Sequence, residues 1–310
     1  MRTLMRAGAI ALAASSLLLT GGVAAQAAPT AAGVTFTLNR LILSPADHGY
    51  AGALRVTITN NTDQPYDDGI TVVEPLARTV RDVGNGVCGI NTLPDRRYEV
   101  GCGLDRAIPP GATRRVTITF ESPAAPKPFA RQSATSGSVS IAGVTTEFTA
   151  LFRSSTGSVS KPVAYTPAAA QSLTIAAPDA VTLTRQDDGT YSATVPVTVT
   201  NHNDAPHGGW GSSLAEPAGL SGFPYATDGT CGLGGTFPPA PPGGANTGCV
   251  HEGLLTEGET RTINWILSAP ADAEPGAKGT ATVATNLTGD AADAQPGDDY
   301  LTSFQVSIAG

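Results

Sequence analysis

Catalysis by a serine-type hydrolase needs a nucleophile, a base and an orienting acid held together. The candidate bases are His48, His202, His207 and His251. No G-x-S-x-G elbow accompanies them. His202 and His207 flank the turn "NHNDAPH", and with Asp204 and His251 they could ligate a metal. Their spacing follows no ligand pattern, and a polar loop is the plainer reading. A glycosidase's paired carboxylates are defined by a separation in space that sequence does not give. The acids of this chain sit in turns beside Gly and Pro more often than in strands. "GDAADAQPGDDY", Gly289 to Tyr300, offers Asp290, Asp293, Asp298 and Asp299 to calcium, but off the EF-hand spacing, so a solvated acidic loop is expected. Trp210, in "HGGWGSS", is the candidate aromatic platform for sugar or peptide; the competing reading folds it back over the end of the fold. Trp265 lies in a strand register that makes it core.

Arginine is the other reactive type, suited to bidentate recognition of carboxylate and phosphate. Arg78, Arg81, Arg96, Arg97, Arg106, Arg114 and Arg115 fall close in sequence to one pair of cysteines. From Ala28 to Gln171, 13 Lys and Arg oppose 11 Asp and Glu, a net of +2; from Ser172 on, 3 oppose 15, a net of −12. That asymmetry leaves two uses for the cluster: binding an anionic envelope polymer or another extracellular protein, or docking on the acidic half of the same chain. An overall charge of −8 argues against nucleic acid.

The elements that must position these groups begin after a leader. Arg2 and Arg6, the short apolar run "AGAIALAASSLLLT" and the small residues "AQA" before Ala28 make Met1–Ala27 a secretory signal peptide, with no membrane span left once it is removed. Export permits disulfides. Cys88, Cys102, Cys231 and Cys249 are the only cysteines, and four allow three pairings. Their recurring context, "GVCGI" with "VGCG" and "GTCGL" with "TGCV", argues for the local pairs Cys88–Cys102 and Cys231–Cys249 rather than a metal site. Each closed loop contributes roughly 3 kcal/mol.

The cysteines belong to a longer repeat. "LRVTITNNTDQPY" from Leu54 answers "VPVTVTNHNDAPH" from Val195; "EP" recurs at Glu74 and Glu216; "IPPGATRRVTITFESPA" from Ile108 answers "LTEGETRTINWILSAPA" from Leu255. Within each copy apolar residues alternate with threonine, and no helical period of useful length occurs. Val116, Ile118 and Phe120 match Ile263, Trp265 and Leu267 position for position. The expected fold is all-β: two tandem antiparallel immunoglobulin-like β-sandwiches with one local disulfide each, over 28–154 and 172–310, joined by a Ser/Pro/Ala-rich linker, 155–171.

The run "VTVTN…DAP…EP…DGTCG…C…L…GETRTINWILSAPA", closing with "GDAADAQPGDDYLTSFQVSI", resembles the immunoglobulin-like conserved repeat of exported bacterial proteins called domain of unknown function eleven. The second copy is similar throughout; the first lacks the closing stretch. The resemblance implies the sandwich fold and a place outside the cell, and carries no catalytic residues. The expectation is therefore a non-enzymatic secreted or cell-envelope binding and spacer module with no cofactor and no metal, released or held at the wall. A secreted hydrolase is the alternative.

Overall fold

Inward and outward side chains alternate along the strands and so build two hydrophobic cores, one in each half of the chain. The structure, a computed structural model, describes residues 33–84, 87–233, 237–288 and 300–310. The expected signal peptide and the aspartates of the acidic loop at 289–299 lie outside the described residues. Among those described, no helix is long and apolar enough to cross a membrane.

The first half contains β1 (Val34–Leu38), β2 (Leu41–Ala46), β3 (Gly49–Asn60), β4 (Ile70–Val73), β5 (Val80–Gly84), β6 (Cys88–Thr92) and β7 (Tyr98–Cys102). These are followed by β8 (Thr113–Ser122), β9 (Arg131–Ser133), β10 (Gly137–Ile141), β11 (Val144–Phe148), β12 (Ala150–Phe152) and β13 (Val163–Tyr165). One sheet runs β13-β9-β12-β2-β3-β8-β5 with β1 beside β3, and the other runs β11-β10-β4-β7-β6. Leu54, Val56, Ile58, Val116, Ile118 and Phe120 from the first pack on Ile70, Val72, Val100, Val139 and Ile141 from the second. Two sheets closing on one core make a sandwich.

The second half contains β14 (Leu173–Ala176), β15 (Ala180–Arg185), β16 (Tyr191–Asn201), β17 (Gly209–Glu216) and β18 (Tyr225–Ala226). Then come β19 (Gly229–Leu233), β20 (Ala245–His251), β21 (Thr260–Ala269), β22 (Gly276–Thr288) and β23 (Leu301–Ile308). Its pairings follow the first half step by step. β14 lies on β16 as β1 lies on β3, β18 on β21 as β5 on β8, and β19 on β20 as β6 on β7. β15 serves both layers: Ala180–Leu183 pair with β23, then Thr184 and Arg185 pair with β16.

Ile263, Trp265 and Leu267 are fully buried, as are Val116, Ile118 and Phe120 to within a percent. Cys88 is bonded to Cys102 and Cys231 to Cys249, each between directly opposed residues of neighbouring strands.

The fold is all-β with two local disulfides, as expected, and differs from the expectation in two details. The sheets are not wholly antiparallel, because β2–β12, β9–β13 and β15–β23 run parallel. The expected linker 155–171 is not uniformly a connector, because Val163–Tyr165 add a strand to the first sheet. Its proline and small residues read as linker, yet Tyr165 is buried against Phe152 with ring centroids 4.9 Å apart, and that contact holds the segment on the sandwich.

Candidate functional site

Three places bring polar side chains together. The first is the repeated Glu-Pro step. Glu74 follows β4, and the chain turns back at once through Pro75, so the carboxylate faces inward with the loop wrapped around it. It accepts hydrogen bonds from the amides of Arg78, Thr79 (2.8 Å), Val80 (2.9 Å) and Tyr98 (2.7 Å). Burial pushes its pKa up, and the four amides pull the other way. Glu216 stands in the same place at the end of β17 and is equally buried, but its longer loop supplies only the Gly222 amide and leaves Oε2 without a partner. Burial raises its pKa to about 7.

The second place is the end of the second sandwich, where Trp210, Ser212, Cys249 and His251 share the inward face of β17 and β20. Ser212 Oγ lies 2.7 Å from His251 Nε2, and Asp228 Oδ2 lies 3.7 Å from His251 Nδ1. The residue types are those of a hydrolytic triad, but the arrangement is incomplete. The acid stands beyond hydrogen-bond reach. Ser212 is 4% exposed, and Trp210 stacks on the imidazole at 4.3 Å. Burial lowers the pKa of His251, although Asp228 opposes the change. Trp210 itself is completely buried, under the Arg261 guanidinium at 5.3 Å, so it is no exposed aromatic platform. Its glycine-rich stretch is strand, and the alternation Trp210, Ser212, Leu214 turns it inward.

The third place lies between the halves. Asp204, in the turn "NDAP", accepts from the Tyr165 hydroxyl (2.9 Å) and the Ala168 amide (2.9 Å), 4.0 Å from Arg131. Arg131 is buried among the rings of Tyr50, Phe152 and Tyr165, at 5.6, 5.3 and 4.2 Å. Lys127 meets Glu257 at 2.8 Å, the Ala125 amide donates to the same carboxylate, and the Glu257 amide donates to Pro123. Burial acts to raise the Glu257 pKa, but Lys127 and the Ala125 amide outweigh it and hold it below the usual range. Arg81 donates to the carbonyls of His207 and Gly208 (3.0 and 2.7 Å) while its Nε faces Glu121 at 3.1 Å.

The arginine cluster is therefore dispersed. Arg78 is 1% exposed and donates to the Tyr98 hydroxyl, which removes it from any solvent-facing patch. Arg97 pairs with Asp95 and donates to the Glu74 and Ser136 carbonyls. Arg114 pairs with Asp105, and Arg96 donates to the Ala169 carbonyl. Arg106 and Arg115 remain exposed. Arg81 reaches the second half, where it meets carbonyl oxygens. Charged contacts between the halves include Lys127 with Glu257 and Arg131 with Asp204, and His48 lies 2.7 Å from the Arg261 guanidinium and 3.9 Å from Glu259. The Glu-Pro step that recurs at Glu74 and Glu216 marks the repeat in the sequence, but nothing in its spacing announces the inward-facing carboxylate.

The histidines diverge. His202 bonds Thr174, while His207 is buried with its ring nitrogens 2.9 and 3.1 Å from the Gly209 and Leu255 carbonyls. Among the described residues no group of three or more His, Cys, Asp or Glu side chains is placed to hold a metal ion.

These buried groups set opposite pH slopes. Burial depresses the His207 pKa to about 4, so its contribution to stability is present above pH 6.5 and is lost as pH falls through 4. Glu216, raised to about 7, contributes below pH 4.5 and loses that contribution as pH rises through 7. Denaturant midpoints across this range should show Glu216→Gln removing the decline on the alkaline side; an unchanged profile would assign that decline elsewhere.

No family model matches the chain, and no curated protein matches it. Solved structures with some likeness include a protein of unknown function from Porphyromonas gingivalis W83, 10% identical, covering 90% of this chain and all of that one at a TM-score of 0.21. They include an Enterococcal surface protein's partial N-terminal region, 10% identical, covering 89% and 94% at 0.27, and red sea bream transglutaminase, 12% identical, covering 89% and 31% at 0.24. At such scores these likenesses carry no argument about what the chain does.

Proposed function

We propose that this chain is a non-enzymatic extracellular binding and spacer module: exported by residues 1–27, with sandwiches at 28–154 and 172–310, and akin to domain of unknown function eleven. What supports the reading is the contact between the halves. Asp204, Glu257, Arg81, Lys127 and Arg131 are spent on fixing one half against the other, as a spacer of defined length requires. Arg106 and Arg115, both solvent-exposed, are the members of the cluster offered to an anionic envelope polymer.

Co-sedimentation with isolated bacterial cell walls tests this. Retention should fall severalfold as salt rises, because exposed charges are screened over ~10 Å at 0.1 M. Arg106→Ala with Arg115→Ala should lower it at low salt with folding unchanged. Retention insensitive to both would remove the anionic polymer. The 2.7 Å Ser212–His251 contact favours the hydrolase alternative. Labelling of Ser212 by a fluorophosphonate would bring that reading forward, and an unlabelled folded protein would end it.

A further inference from the structure

A strand at the end of a sheet leaves backbone N–H and C=O groups unpaired, and natural sheets guard such edges with charge, proline, bulges or shortness. The outermost strands of the sheet paths are β13, β5, β11, β6, β18 and β19. Four are guarded. β13 has three residues and follows Lys161 and Pro162; β18 has two residues. β5 carries Arg81 and Asp82 at an irregular register, and β11 carries Glu147. β6, "CGINT", and β19, "GTCGL", have neither a charge nor a proline. β1 and β14, off these paths, bury Val34, Phe36, Leu38 and Leu173 and expose no large apolar side chain.

The two unguarded edges are equivalent. Each carries the first cysteine of its half, and two residues later an apolar side chain, Ile90 or Leu233, is 64% or 66% exposed. The opposed cysteines have Cα atoms 4.1 and 4.0 Å apart, the close spacing of a non-hydrogen-bonded pair. The Gly103 amide donating to the Val87 carbonyl at 3.2 Å agrees with that phase. In this register Ile90 and Thr92 of β6, and Cys231 and Leu233 of β19, turn N–H and C=O away from the neighbouring strand, toward the open side.

We propose that β6 of one copy of this chain pairs with β19 of a second copy, joining the molecules head to tail. Charge selects this pairing over β6 with β6 or β19 with β19. The half that carries β6 has a net of +2, with exposed Asp95 and Asp105 paired to Arg97 and Arg114 and with Arg106 exposed; the half that carries β19 has a net of −12, with exposed Asp228 and Glu252 beside the strand. The contact uses different surfaces on the two partners, so each copy joined through one edge keeps its other edge for the next copy and assembly continues past the dimer. It covers far less than a standard interface, so each link is weak and depends on concentration.

Sedimentation of the secreted form, from Ala28 on, tests the proposal. At about 500 µM and low salt its weight-average mass should exceed that of the monomer more than twofold, and it should fall back as salt rises. Ile90→Lys and Leu233→Lys should each sediment as monomers, because each lacks one of the two edges. An equimolar mixture of the two should give dimers and nothing larger, since each keeps the edge that the other has lost. Thr92→Pro, which deletes one outward N–H, should behave like Ile90→Lys and guards against a folding artefact. A wild-type protein that stays monomeric throughout would overturn the pairing, as would either lysine variant associating alone. Association at the edges is independent of cell-wall retention, so failure of one leaves the other standing.

Discussion

Replacing Glu74 with alanine is expected to lower stability by roughly 3–5 kcal/mol, a large part of the ~5–15 kcal/mol that holds a typical domain folded. The carboxylate is buried and gathers the amides of Arg78, Thr79, Val80 and Tyr98. Without it four donors face an apolar space, and each unsatisfied buried donor costs about 1–3 kcal/mol before water enters or the loop relaxes. The loop also carries Arg78 at a φ of 56°, a conformation that a non-glycine residue keeps only when its surroundings impose it. Glutamine should recover part of the loss, because its carbonyl oxygen can still accept. The equivalent change in the other half should go the opposite way above pH 7: Glu216→Gln removes a buried charge whose Oε2 has no partner, so it should be neutral or stabilising. Denaturant unfolding of the three variants measures both effects. A loss below about 1 kcal/mol for Glu74→Ala would mean that the amides find other acceptors.

The second large effect is expected at Arg131. Its guanidinium sits among three aromatic rings at the end of the first core and faces Asp204 of the second half. Breaking a buried pair by removing one partner typically costs ~3–5 kcal/mol. Arg131→Ala should approach that figure, because it leaves Asp204 poorly compensated and opens a gap between Tyr50, Phe152 and Tyr165. Asp204→Ala is the cleaner probe of the contact between the halves, since the aromatic box stays filled. Tyr165 and the Ala168 amide then lose their acceptor, and burial together with Asp204 is what raises the Tyr165 pKa. Small-angle scattering should show a larger radius of gyration for Asp204→Ala combined with Glu257→Ala, with circular dichroism unchanged. An identical radius would show that the remaining contacts, Arg81 with the His207 and Gly208 carbonyls among them, are enough to fix the angle.

What could be read from the sequence is what period two records. Val56 and Ile58, and the matched triplets Val116-Ile118-Phe120 and Ile263-Trp265-Leu267, are buried because alternate residues of a strand share a face. The cysteine pairs were legible because context recurred, and context follows the hairpin that carries them. Trp210 is buried, as the reading that folds it back expects, but it stands in a strand rather than a loop: the same alternation runs through it, and glycines on both sides mimic a loop. Arg78 belongs by sequence to the candidate binding cluster; its burial depends on a tight turn around Glu74 that no spacing announces. Asp204, Glu257 and Arg131 come from turns and a three-residue strand, and their meeting is fixed by how the halves lie together, which local patterns do not encode. The parallel pairs escaped for the same reason: each joins strands far apart in the chain.

One of those parallel pairs bears on how the module carries a mechanical load. Ala180–Leu183 of β15 lie in register beside Gln305–Ile308 of β23, running the same way. Once β14, which precedes β15 and pairs with β16, has been drawn off, tension through the two ends of that half draws β15 backward and β23 forward along their common axis. Every rung between them is then strained in shear at the same instant, instead of peeling open one after another as in a hairpin pulled from its free ends. The second half thus holds its last strand beside an early one in the arrangement that loads all of their shared rungs together.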